Sequence, residues 1–67
     1  MVVLTINGEE YSFPHPITVS ELVSSFSLAK KQIALERNGV VVPRSQFSRI
    51  CLQNSDKIEI ITAVGGG

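Results

Sequence analysis

Two Asn-Gly dipeptides, Asn7-Gly8 and Asn38-Gly39, interrupt apolar stretches of this chain and constrain its fold more than any other feature. Asparagine and glycine both tolerate the positive φ angles of a type I′ turn, so such a dipeptide between apolar stretches predicts a β-hairpin. Around the first dipeptide, apolar side chains recur at the two-residue spacing of strands, at Val2, Leu4, Ile6, Tyr11 and Phe13. The amino-terminal part of the chain is therefore predicted to be a two-stranded hairpin.

The second dipeptide predicts another hairpin, with one strand over residues 33–36 and the other over residues 40–42. Pro43 closes this hairpin, because proline lacks the N–H that the interior of a strand needs. Residues 44–50 show no clear period and are predicted to be a loop with one helical turn. The alternating, β-branched segment from Lys57 to Thr62 follows an Asn-Ser-Asp turn sequence and is predicted to be the last strand.

Between the two hairpins the period changes to that of a helix. Thr18 and Glu21 are spaced as a capping box, in which each side chain bonds to the backbone N–H of the other residue. Ile17 and Leu22 are spaced as the accompanying hydrophobic staple. The pattern predicts a helix of about two turns that starts after Thr18 and ends near Ser27. Its apolar face is formed by Val19, Leu22, Val23 and Phe26.

The order of elements predicts an α+β roll of the ubiquitin type, with a mixed sheet packed on one main helix. With 67 residues and 43% hydrophobic content, the chain is predicted to be a single domain over residues 1–67. A domain of this length buries only about 60% of the surface of its unfolded chain, so a self-contained active site is not expected. The predicted core consists of Leu4, Ile6, Leu22, Val23, Phe26, Leu52, Ile58 and Ile60.

Charge and cysteine usage argue against several classes of partner. Six basic and six acidic residues balance, so no net field draws the chain to nucleic acid or to an anionic membrane. The adjacent basic pair Lys30-Lys31 is interpreted as a solvated helix end. A lone cysteine cannot form an internal disulfide, and no stretch resembles a signal peptide or a membrane span. These features predict a cytoplasmic protein.

Three further stretches are informative together: Asn38-Gly39-Val40-Val41-Val42-Pro43-Arg44, Asp56-Lys57-Ile58-Glu59-Ile60 and Val64-Gly65-Gly66-Gly67. They resemble the ThiS family, the β-grasp sulfur-carrier proteins of thiamine biosynthesis. The similarity covers essentially the whole chain, in its length and in the order of its elements. A terminal Gly-Gly alone is weak evidence, but its position directly after a closing strand in a chain of this size is much more specific.

The resemblance implies a chemistry located at the carboxyl terminus. The carboxylate of Gly67 would be adenylated, with ATP and Mg²⁺, by an E1-like adenylyltransferase of the ThiF type, and then converted to a thiocarboxylate by a sulfur donor enzyme. A thiazole synthase of the ThiG type would use that sulfur for the thiazole ring of thiamine. Gly65 and Gly66 would thread through a narrow channel as part of a flexible tail, residues 63–67, because glycine has no Cβ. The chain would then be a co-substrate and not an enzyme, with no metal or permanently bound cofactor.

The family usually ends in two glycines, whereas three stand here. Either Gly65 occupies the variable position before the pair, or Gly67 is an addition and Gly66 is the reactive residue. Two other function classes stay open. One is the small subunit of molybdopterin synthase or another ubiquitin-like carrier or tag, and the other is a binding module with a disordered glycine tail.

The remaining side chains with reactive or metal-binding groups have simpler interpretations. Cys51 lies between Ile50 and Leu52 and is predicted to be buried as a small hydrophobic residue, because no base that would activate it is near in the sequence. His15 lies between two prolines and is predicted to be a loop residue, since no second metal ligand stands at suitable spacing. Arg44 could meet a carboxylate of a partner, but the simpler prediction is a surface arginine without a special role.

Overall fold

The computed structural model describes residues 1–62. The predicted flexible tail, residues 63–67, lies outside this range. Within it the elements follow the predicted order of hairpin, helix, hairpin and last strand. They are β1 (Val2–Ile6), β2 (Glu9–Phe13), α1 (Val19–Ser25), β3 (Ile33–Arg37), β4 (Val40–Val41), a 3-10 helix (Arg44–Gln46) and β5 (Lys57–Thr62).

Both Asn-Gly dipeptides form the predicted tight turns. The φ angles are 50° and 52° at the two asparagines and 85° at both glycines, which is the type I′ pattern. β1 pairs with β2, and β3 pairs with β4, in both cases antiparallel. β4 is one residue shorter than the predicted strand, although the N–H of Val42 still donates to the carbonyl oxygen of Leu35 at 2.9 Å.

The strands form one mixed sheet in the order β2-β1-β5-β3-β4. β5 lies in the middle, parallel to β1 on one side and antiparallel to β3 on the other. The pairing with β1 covers only Lys57 and Ile58 of β5, whereas the pairing with β3 continues to Thr62, opposite Ile33. The predicted mixed sheet with one main helix is confirmed.

α1 begins at the predicted capping box. The backbone N–H of Glu21 donates to Thr18 Oγ1 at 3.1 Å, and the backbone N–H of Thr18 donates to Glu21 Oε1 at 2.8 Å. These bonds satisfy backbone donors that the start of a helix leaves without intrahelical partners. Ile17 and Leu22, the predicted staple pair, are both buried.

α1 ends at Ser25, two residues before the predicted end. Phe26 caps the helix, and Ser27 takes the left-handed conformation with a φ of 61°. The N–H of Leu28 donates to the carbonyl oxygen of Val23 at 2.9 Å, as in a Schellman motif. The apolar spacing continues through Phe26 and therefore does not reveal the reversal that stops the helix.

The core lies between α1 and the side of the sheet that faces it. Every predicted core residue is buried except Phe26, which is only partly buried. Phe26 lies at the end of the helix, edge-to-face with Tyr11 of the edge strand β2, with the ring centroids 5.2 Å apart. That peripheral position keeps it in contact with solvent. The core also contains Val2, Ile17, Val19, Leu35, Val42 and Phe47.

The segment after Pro43 contains the predicted single helical turn, which is the 3-10 helix.

No helix among residues 1–62 has the length and apolar character needed to cross a bilayer.

Candidate functional site

β5 leads directly to the predicted reactive end of the chain. Gly65, Gly66 and Gly67 lie outside the described residues, so the described part of the site is the strand that precedes them. Thr62, the last residue of β5, pairs with Ile33 of β3. Because β5 has a neighbour on each side, its position in the sheet is fixed from both directions.

Asn7 continues the parallel pairing of β5 beyond the end of β1. Its backbone N–H donates to the carbonyl oxygen of Ile58 at 2.9 Å. Its side-chain Oδ1 accepts from the N–H of Ile60 at 2.7 Å, and its Nδ2 donates to the carbonyl oxygen of Ile60 at 3.2 Å. The side-chain amide thus replaces a strand residue opposite Ile60, two positions before Thr62.

Asn38 holds the start of β5 in a similar way. Its backbone N–H donates to the carbonyl oxygen of Lys57 at 2.7 Å, and its Oδ1 accepts from the N–H of Lys57 at 2.9 Å. The Asn-Gly pattern predicts only a turn at each asparagine. The residue type could have indicated these hydrogen bonds to β5. Aspartate or glycine also forms this turn, but neither has a side-chain amide, which can both donate and accept hydrogen bonds.

Asp56 is a buried carboxylate immediately before β5. Its Oδ2 accepts from Arg37 Nε and from the backbone N–H of Gln53, both at 2.8 Å, and its Oδ1 accepts from Asn38 Nδ2 at 3.0 Å. Burial alone would raise the pKa of Asp56, but the hydrogen bonds from Gln53, Asn38 and Arg37, together with the arginine charge, lower it below its usual value. The Asn-Ser-Asp sequence predicts a turn here but not this network.

Cys51 is exposed, so its predicted burial is wrong. The chain around it is extended: Cys51 forms an isolated bridge with Thr18, and the N–H of Leu52 donates to the carbonyl oxygen of Ile17 at 2.8 Å. Side chains alternate along an extended segment, so the burial of Leu52 directs Cys51 to solvent. His15 is an exposed loop residue, as predicted. Among residues 1–62, no group of three or more His, Cys, Asp or Glu side chains is placed to hold a metal ion.

Arg44 is exposed, as predicted, but it has a structural role, so the interpretation that it has no special role is wrong. Its Nη2 donates to the carbonyl oxygen of Ala29 at 2.7 Å and its Nη1 to that of Lys31 at 3.2 Å, while the guanidinium lies 5.9 Å from the ring centroid of Phe47. Arg44 therefore fixes the turn between α1 and β3. Lys30 and Lys31 are exposed in this turn, and they are not at the helix end as predicted, because α1 has already ended.

Comparison with known proteins decides the family. The model of the ThiS family matches residues 4–67. The chain belongs to the ThiS family. The resemblance noted from the three sequence stretches is thereby confirmed.

Two relatives and one solved structure show how far the similarity extends. The sulfur carrier protein ThiS of Bacillus subtilis (strain 168) is 31% identical over 65 residues, which cover 96% of this chain and 98% of that protein. A thiazole synthase of Paramagnetospirillum magneticum is 38% identical over 64 residues, which cover 96% of this chain but only 20% of that protein. The crystal structure of the thiamine biosynthesis protein ThiS from Geobacter metallireducens has a TM-score of 0.82 at 29% identity, covering 98% of this chain and 100% of that chain. The predicted β-grasp fold is confirmed.

Proposed function

We propose that this ThiS-family chain is a sulfur carrier of thiamine biosynthesis and that its reactive group is the carboxylate of Gly67. The observation that carries the proposal is the family match, which extends through the three glycines to residue 67. The Bacillus relative, which is matched over almost its full length, is a sulfur carrier protein. The chain is accordingly a co-substrate that other enzymes modify.

The proposed reaction has two steps, and both involve the carboxyl group of Gly67. A carboxylate oxygen of Gly67 attacks the α-phosphorus of ATP and pyrophosphate leaves, which gives an acyl-adenylate. A sulfide equivalent from a sulfur donor enzyme then attacks the carbonyl carbon and AMP leaves, so that sulfur replaces one oxygen. A main-chain carboxyl ordinarily has a pKa of about 3.3–3.7, so the nucleophile is ionised at neutral pH without a base from this chain.

An E1-like adenylyltransferase of the ThiF type provides the site for the first step. ATP and Mg²⁺ bind to that enzyme, whose charges stabilise the phosphates as the adenylate forms. The carrier contributes a fixed strand and a short reach, because five residues after Thr62 span at most about 18 Å when fully extended. Glycine at positions 65–67 lets the backbone pass through a channel that a Cβ would block.

A thiazole synthase of the ThiG type is the proposed acceptor of the sulfur. The Paramagnetospirillum thiazole synthase contains a region similar to this chain, which forms 20% of its length. The presence of such a region within a thiazole synthase supports a functional association between this carrier and a separate enzyme of that class.

The decisive measurement is the intact mass of the 67-residue protein after incubation with the adenylyltransferase, ATP, Mg²⁺ and sulfide. We expect replacement of one oxygen by sulfur, located at Gly67 by fragmentation. A protein that binds the adenylyltransferase but never exchanges oxygen for sulfur would contradict the proposal. Exchange that occurs only after Gly67 is trimmed would instead make Gly66 the reactive residue.

A variant with one alanine added after Gly67 is the matched control. The addition moves the carboxylate away from the reacting atoms and brings a Cβ into the channel. Because misplacement by about 1 Å can lower a rate about a hundredfold, we expect no detectable thiocarboxylate from this variant. Its unfolding midpoint should equal that of the unmodified protein, since residues 1–62 are unchanged.

A further inference from the structure

The last residues of β5 have a neighbouring strand on one side only. β1 pairs with β5 at Lys57 and Ile58, whereas β3 pairs with β5 as far as Thr62. β1 does not continue along β5, because the chain reverses at Asn7-Gly8 and returns as β2. From residue 59 onward, therefore, no strand of residues 1–62 pairs with β5 on the side of β1.

One side-chain amide takes the place of the missing strand. The Oδ1 of Asn7 accepts from the N–H of Ile60 at 2.7 Å, and the Nδ2 of Asn7 donates to the carbonyl oxygen of Ile60 at 3.2 Å. The N–H and the carbonyl group of one strand residue point to the same side of the strand, so both groups of Ile60 point away from β3. Because Ile60 is only 8% exposed, its polar backbone groups need such partners.

We propose that Asn7 is a positioning residue for the adenylation of Gly67 and that it acts through the end of β5. The inference rests on the proposed function. The adenylyltransferase has to bring the carboxylate of Gly67 to the α-phosphorus of ATP. Every residue that leaves the sheet lengthens the segment that the enzyme must order before reaction. The amide of Asn7 prevents this release and gives the carboxyl-terminal segment one starting position.

The hairpin turn itself does not need the amide of Asn7. Asp-Gly and Gly-Gly also form type I′ turns, so Asn7→Asp and Asn7→Gly keep the turn while they change the bonds to Ile60. Aspartate keeps an acceptor for the N–H of Ile60 but loses the donor, and glycine loses both. Asn7 is exposed, so neither substitution changes the packing of the core. The two variants therefore separate the positioning role from the fold.

The test measures the rate of acyl-adenylate formation in a single turnover, with ATP, Mg²⁺ and increasing concentrations of the adenylyltransferase. This design separates docking, seen in the half-saturating enzyme concentration, from positioning, seen in the saturated rate. We expect the saturated rate of Asn7→Gly to fall about tenfold, because misplacement by about 1 Å can cost about a hundredfold and β3 still holds β5 on one side. The half-saturating concentration should change by less than about twofold. Asn7→Asp should react at an intermediate rate.

Thr18→Ala is the control for a loss of stability without a change in β5. Its capping bonds are made to Glu21 at the start of α1, so it should react at the saturated rate of the unmodified carrier. A saturated rate that falls as far in Thr18→Ala as in Asn7→Gly would assign the effect to stability and overturn the inference. If Asn7→Gly does not fold, a saturated rate of Asn7→Asp equal to that of the unmodified carrier overturns it.

Amide hydrogen exchange shows whether the end of β5 is released locally. In Asn7→Gly the N–H of Ile60 should exchange at least about tenfold faster, measured relative to the N–H of Leu52, which bonds to Ile17 outside the sheet and reports global unfolding. Unchanged exchange at Ile60 would overturn the inference. If the unmodified carrier is adenylated and both Asn7 variants react at its saturated rate, the positioning role fails and the proposed function stands. If the unmodified carrier is not adenylated, both fail.

Discussion

Replacing Asp56 with asparagine tests whether the buried carboxylate network fixes the start of β5. Asparagine keeps the shape of the side chain but removes its charge and turns one acceptor oxygen into an NH₂ donor. At least one of the present donors, Arg37 Nε, Asn38 Nδ2 or the N–H of Gln53, then faces another donor. Leaving a buried group unsatisfied costs about 1–3 kcal/mol. The ion pair adds about 1 kcal/mol, because the Arg37 side chain is 29% exposed and solvent screens the charges.

The free energy of unfolding should therefore fall by about 2–4 kcal/mol at pH 7, a large part of the stability of a domain of this size. Urea unfolding followed by circular dichroism measures the change, with Glu10→Gln as a control for the loss of an exposed carboxylate. The pKa of Asp56 is lowered in the folded protein relative to its ordinary value of 3.8. Its stabilising effect is thus fully present above pH 3.8 and is lost as the pH falls through the lower, folded-state pKa.

The difference between unmodified protein and Asp56→Asn should consequently shrink when unfolding is measured at successively lower pH below 3.8. A difference that stays constant down to the most acidic condition would show that charge on Asp56 contributes nothing. Equal urea midpoints at pH 7 would refute the network as a source of stability.

Three further substitutions test separate features of the structure. Thr18→Ala removes the capping box and should lower the free energy of unfolding by about 0.5–2 kcal/mol in urea titrations, so an unchanged midpoint would contradict the role of the cap. Ser27→Gly should raise the free energy of unfolding by about 1 kcal/mol, because a left-handed backbone conformation is costly for a residue with a Cβ. The control Ser24→Gly, inside α1, should lower the free energy of unfolding. Cys51→Ser should alter stability by less than about 0.5 kcal/mol, since Cys51 is exposed, and should leave thiocarboxylate formation intact by intact-mass analysis. Loss of sulfur transfer in a folded Cys51→Ser protein would be evidence against a reaction confined to the carboxyl terminus.

The features that the sequence predicts well depend on residues close together in the chain. The type I′ turns need two adjacent residues, and the capping box needs Thr18 and Glu21, so short-range patterns identify them. The network around Asp56 joins residues up to 19 positions apart, and the bonds from Asn7 to Ile60 join residues 53 positions apart. No local sequence pattern predicts these contacts, because the residues meet only when β5 is placed between β1 and β3.

The error at Cys51 has the same origin. Two apolar neighbours, Ile50 and Leu52, favour burial when only composition is considered. Burial of alternate residues follows only once the segment is known to be extended and paired with the chain before α1. The interpretation of Arg44 failed in a comparable way, because its acceptors are backbone oxygens of a turn that no side-chain pattern marks.

Within residues 1–62, several long-range polar bonds meet at β5 or at the residue that precedes it. Asn7 and Asn38 bond to backbone groups of β5, and Asp56, the residue before β5, is held by Arg37, Asn38 and Gln53, so the strand has a fixed position. Asn7 and Asn38 act at different edges of β5, so the strand is held against both of its neighbours before the chain continues toward Gly67. A strand held in this way fits the proposed carrier, whose carboxyl end has to reach a partner enzyme in one position.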